Sequence, residues 1–121
     1  MLRPIPKRIM THSATLKAVS ATDRWGSPTY VEYELGKVHI QPTHEIIKSS
    51  TDKNVNLKSV LFYDPKISTP ASLDWGALQK ASDTANGQMK VVFMGNEYTV
   101  WSIDFLPDDE GRLHHIEVML Y

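Results

Sequence analysis

The chain has no cysteine among its 121 residues, so it holds no disulfide framework, no cysteine-ligated zinc and no thiol nucleophile. It also lacks a surplus of either charge. Thirteen Lys and Arg stand against 14 Asp and Glu, a formal net charge of −1. A protein that binds nucleic acid over a broad surface usually carries a basic excess that neutralises phosphates, so that class loses its main support and only a local basic patch stays open. No apolar stretch approaches the roughly 18 residues that a membrane helix needs, and the cationic start over residues 1–8 leads into no apolar run of secretory length. The expectation is a protein off the membrane, kept where it is made.

Catalytic signatures are missing as well. There is no Gly-x-Ser-x-Gly elbow, no Walker lysine loop and no His-Glu-x-x-His helix. The carboxylates are scattered, with no pair in an apolar setting that would split their pKa values for acid and base work. No enzyme and no cofactor are expected. His39, His44, His114 and His115 are the available soft ligands besides methionine, but neighbours 114 and 115 of a strand face opposite sides, so no metal site is expected either. Asp108-Asp109-Glu110-Gly111 lacks the alternating ligand positions of a calcium loop and reads as a solvated hairpin turn.

What is present is a series of short strand patterns. Residues 1–11 carry two prolines and three cations, which disfavours a helix and predicts an extended N-terminal arm. Residues 12–20 alternate apolar and polar, and a turn-rich stretch over 21–28 separates them from 30–35 and 37–41, which flank Gly36. Residues 43–54 have little to place in a core and predict one long polar loop. Residues 55–63 resume as a strand. Ser72 is a fitting N-cap for a short helix running to Asp83, with Leu73, Ala77, Leu78 and Ala81 on one face. Residues 89–94 and 97–106 enclose Gly95-Asn96 as a two-residue hairpin turn. In the second arm the apolar phase moves from Tyr98 and Val100 to Trp101, Ile103 and Phe105, as at a bulge. A last strand covers 113–121. About six strands with at most one short helix and one long loop predict a single, mainly β domain, a small antiparallel barrel or sandwich spanning 1–121.

Trp101, Phe105, Phe93 and Phe62 sit among apolar strand residues and are expected in the core. Trp25 and Trp75 each precede a glycine and either cover a core edge or anchor a partner. Several strands carry apolar residues on both faces, whereas a solitary barrel keeps one face polar. Burial against copies of itself satisfies that pattern, which points to an assembly subunit.

Several blocks carry a family resemblance. These are Leu2-Arg3-Pro4-Ile5-Pro6, Asp23-Arg24-Trp25-Gly26-Ser27-Pro28-Thr29-Tyr30, Leu61-Phe62-Tyr63-Asp64, Gly95-Asn96-Glu97-Tyr98-Thr99-Val100 and Leu113-His114-His115-Ile116-Glu117-Val118. Together they span nearly the whole chain, which resembles the small minor capsid proteins of tailed bacteriophages of Gram-positive hosts. Asn86-Gly87-Gln88 stands where such proteins often carry a Gly-Asp pair. The resemblance implies a structural virion protein similar to head-to-tail connector or stopper proteins, found at the head-tail interface and in the host cytoplasm during assembly. Such proteins are small β-barrels that form a ring, often of twelve copies, beneath the portal and adaptor. They close the DNA channel after packaging and help join the tail.

Length and polarity, not a motif, make the 43–54 loop the expected channel element. Its residues are Thr43, His44, Lys48, Ser49, Ser50, Thr51, Asp52, Lys53 and Asn54, with His44, Lys48 and Lys53 as contacts for packaged DNA or for other copies. Arg3, Lys7, Arg8, Trp25 and Trp75 are the expected partner contacts. Two other classes fit the same residues: a monomeric OB-like or SH3-like module for a peptide or nucleic acid, and a decoration protein spread over the capsid.

Overall fold

Strict alternation in the first strand, β1 (His12–Thr22), turns Ala14, Leu16 and Ala18 inward and Thr15 and Lys17 outward. The same logic repeats around the molecule. β2 (Pro28–Pro42) buries Leu35, Val38 and Ile40, and the short strands β3 (Ile46–Lys48) and β4 (Asn54–Asn56) follow. β5 (Ser59–Tyr63) buries Leu61 and Tyr63. After the helix α1 (Trp75–Thr84) come β6 (Lys90–Phe93) with Val91, β7 (Asn96–Pro107) with Ile103, and β8 (Leu113–Leu120) with Ile116, Val118 and Leu120. The structure is a computed structural model and describes residues 10–22, 24–43, 46–48, 54–71, 73–85 and 87–121.

Six strands close into a barrel in the order β1-β2-β5-β8-β7-β6, every neighbouring pair antiparallel. Closure leaves the barrel with no open edge, and its inner side chains form one continuous core. Of the two architectures that the strand pattern allows, the chain forms the barrel. The phase change in the seventh strand is a bulge, located between Val100 and Ser102.

Antiparallel closure gives the barrel two distinct ends. The β1–β2 turn, the β7–β8 turn and α1, which runs from the end of β5 toward the start of β6, share one end. The β6–β7 turn and the β3–β4 pair share the other. At the first end Trp75 drops into the core, 1% exposed, with its ring edge-on to Tyr63 at 5.4 Å. Tyr63 donates its phenolic hydrogen to the carbonyl of Pro70, and burial pushes that phenol's pKa up.

The structure corrects four local expectations. Part of the expected long loop is strand, because Ile46, Ile47 and Lys48 pair with Asn56, Val55 and Asn54. The helix begins at Asp74, whose carboxylate accepts the Ala77 N–H at 3.0 Å, while Ser72 lies outside the described residues. The β6–β7 turn is Met94-Gly95, one residue earlier than expected, with φ of 51° and 80°. Two positive φ values suit the right-handed twist of a hairpin, and Asn96 is thereby free to pair with Phe93. Finally, Phe62, Phe93 and Trp101 are only half-buried and Phe105 is exposed. Phe62 takes the outward phase of β5 between buried Leu61 and Tyr63, while Phe93 packs against the core from the end of β6.

Two connections give testable energetics. Gly36 and Thr69 exchange both backbone hydrogen bonds at 3.0 Å, and a Cβ at Gly36 would stand 2.6 Å from Thr69 Oγ1. Gly36→Ala is expected to destabilise the barrel by about 1–2 kcal/mol, and adding Thr69→Ala should recover most of it, as chemical denaturation of the single and double variants would show. In the β7–β8 turn, Asp108 Oδ1 accepts the N–H of Glu110 at 2.8 Å and of Arg112 at 2.9 Å. The Arg112 backbone bond is the main cause holding this carboxyl below its ordinary pKa. A lowered folded-state pKa contributes stability above the ordinary carboxylate range, and that contribution is lost as pH falls through the folded value. Asp108→Ala should therefore lower the melting temperature at neutral pH, with the gap to the parent narrowing below about pH 4. A gap that stays constant on acidification would contradict this role.

Candidate functional site

The features left over from core formation lie on the barrel's surface. The first is the β3–β4 ribbon. Thr43 donates its N–H to the Lys58 carbonyl at 2.9 Å, and Lys58 donates to Leu120 at 2.8 Å, so the ribbon continues from the β2–β5 pairing. Leu57 anchors its base in the protein interior, while Ile46 is exposed beside Thr43 and Asn56. Of the expected channel residues, Thr43 sits at this base, and Lys48 and Asn54 pair across the two strands. His44, Ser49, Ser50, Thr51, Asp52 and Lys53 lie outside the described residues.

The expected partner contacts separate. Trp25 stands at the β1–β2 turn with its ring 75% exposed and the Arg24 guanidinium 4.2 Å from the ring centroid. Trp75 is not a surface contact: it is core, because the chain before α1 crosses the barrel end and needs a large side chain to seal it. Arg3, Lys7 and Arg8 lie outside the described residues.

A further surface was not anticipated. His12 and His39 stack at 5.1 Å, His39 meets Phe62 at 5.8 Å, and Phe62 meets His115 at 6.1 Å. This half-buried row crosses β1, β2, β5 and β8. His12 Nδ1 accepts the Ile40 N–H at 3.0 Å, which places any proton of the neutral ring on Nε2. His114 and His115 do leave opposite faces of β8, yet their Nδ1 atoms approach to 2.7 Å, and His115 Nε2 lies 2.8 Å from Glu117 Oε2. Each approach needs one donor and one acceptor. Among the described residues no group of three His, Cys, Asp or Glu is placed to hold a metal. The signal for this row was in the strand pattern: residues 39, 62 and 115 are all out of phase with the core.

Polar pairs cover the outer wall over β1, β6 and β7. Lys17 reaches across β6 to Glu97 at 3.0 Å, and the hydrogen bond and charge of Glu97 raise the lysine's pKa. Lys90 donates to Thr99 Oγ1 at 2.8 Å. No described helix is long and apolar enough to cross a membrane.

The model of the family described as Minor capsid protein matches residues 6–120. No curated protein matches the chain. The family match takes in the whole barrel, the ribbon and the helix. The chain belongs to the minor capsid protein family and is a structural component of the phage virion.

Proposed function

We propose that this minor capsid protein is a head-tail connector subunit of the stopper type, which forms a ring at the portal vertex and helps close the DNA channel and join the tail. The observation that carries this reading is the β3–β4 ribbon. A barrel of this size needs no two-stranded projection for its own core, and this one leaves the end opposite α1 with Ile46 exposed. A ring of such barrels brings its ribbons toward a common axis, where His44, Lys48 and Lys53 contact DNA phosphates or the ribbons of other copies. The portal or adaptor on one side and the tail on the other are its partners, and the role calls for no cofactor or catalysis.

Labelling purified particles with an antibody against this chain tests the assignment directly. The expected image is label at a single vertex of the head. Label distributed over the whole shell would make the protein a decoration subunit instead.

A further inference from the structure

Two hairpins at the α1 end of the barrel hold apolar side chains in solvent. On the β1–β2 hairpin these are Trp25, under the Arg24 guanidinium, with Tyr30 and Val31 on the strand behind it. On the β7–β8 hairpin they are Phe105, 46% exposed, and Leu113, 39% exposed, at the root of the Asp108–Arg112 turn. A tryptophan stacked with an arginine is the composition of a binding anchor, and the stacking fixes both groups before any partner arrives.

Three facts identify what covers these patches. In the ring β1-β2-β5-β8-β7-β6 the two hairpins stand three strands apart, on opposite walls of a closed barrel, so they do not meet within one copy. Both turns leave the same end, so copies standing side by side about a common axis bring the first hairpin of one level with the second hairpin of the next. Arg24 also has acidic counterparts. In sequence the first turn balances Asp23 against Arg24, of which Arg24 lies against Trp25, whereas the turn at 108–112 holds Asp108, Asp109 and Glu110 against Arg112 alone. Glu110 is held by Arg112 at 3.6 Å in a pair exposed on both sides, which is weak enough to exchange.

We propose that the β1–β2 hairpin of one copy docks on the β7–β8 hairpin of a second, with Trp25 against Phe105 and Leu113 and Arg24 facing Glu110. The contact joins two different patches, so it repeats head to tail rather than stopping at a symmetric dimer, and it makes a ring where the rotation between copies closes. This inference rests on the connector reading and assigns the ring its lateral contact.

The absence of cysteine makes the test clean. In phage particles carrying Trp25→Cys and Leu113→Cys together, a short bifunctional thiol reagent should give a denaturing-gel ladder of successive multimers of this chain. Either single variant alone should give only monomer. Dimers from Trp25→Cys alone, or no ladder from the double variant in particles labelled at one vertex, would overturn the contact. Label over the whole shell would instead overturn the connector reading beneath it. Charge reversal provides the second readout should the cysteine variants fail to incorporate. Arg24→Glu should reduce incorporation into particles by about tenfold, and Arg24→Glu with Glu110→Arg should restore it. No loss, or a loss without recovery in the double variant, would count against the pairing.

Discussion

Trp75→Ala is expected to destabilise the barrel by about 3–5 kcal/mol, a large part of the roughly 5–15 kcal/mol available to a domain of this kind. The indole is 1% exposed, rests edge-on against Tyr63 and belongs to the same buried cluster as Leu61, Val91 and Val118. Its removal leaves a cavity between the barrel end and α1 that the closed strands cannot collapse to fill. Trp75→Phe should cost much less than the lost volume suggests, because Nε1 finds no acceptor among the described residues and the substitution also removes that buried donor. Denaturant unfolding of the two variants measures both effects. Equal losses would contradict this, since a phenyl ring that fills most of the cavity would then recover nothing.

The second large effect concerns the ribbon. Replacing residues 49–53 by Asn-Gly keeps the Lys48 and Asn54 partners and closes the hairpin with a two-residue turn suited to its twist. The isolated protein should unfold at nearly its original temperature, since among the side chains described over 43–58 only Leu57, at the ribbon's base, is buried. Phage bearing the shortened ribbon should package DNA and then lose it, which electron microscopy would record as empty heads and a plaque assay as a fall in titre of orders of magnitude. Full heads with normal titre would remove the ribbon from the closing role. They would leave the barrel's place at the vertex to be judged by the labelling experiment.

These expectations draw unequally on sequence and structure. The alternation of Ala14, Leu16 and Ala18, and of Leu57, Leu61 and Tyr63, was readable because strand side chains take opposite faces by a local rule. The bulge in β7 was readable for the same reason, since one extra residue reverses the phase from Val100 onward. The fate of the aromatics was not. Phe62 and Phe105 sit among apolar strand residues, yet Phe62 takes the outward phase of β5 between Leu61 and Tyr63 and Phe105 stands near the end of β7, while the core accepts rings as large as Tyr63 and Trp75. Trp75 was left between covering a core edge and anchoring a partner, and the path of the chain into α1 made it the plug of one barrel end.

The candidate surface divides in the same way. Trp25 was left between covering a core edge and anchoring a partner, and it is exposed, because a tryptophan in a turn of Asp, Arg, Gly, Ser and Pro has no neighbouring apolar residues to pack with. The row of His12, His39, Phe62 and His115 came from four separate strands, and only strand register put them side by side.

The sequence by itself determined a cysteine-free, charge-balanced chain of mainly β structure, with more apolar strand surface than one small core absorbs. Each of those properties is set by composition or by period-two alternation, which act locally. Only the tertiary structure decided that the strands close into a barrel, that 46–48 and 54–56 pair as a ribbon, and that two exposed hairpins stand on opposite walls of one end. Those outcomes depend on which strands become neighbours, and that is settled by long-range burial and register rather than by any residue's own preference.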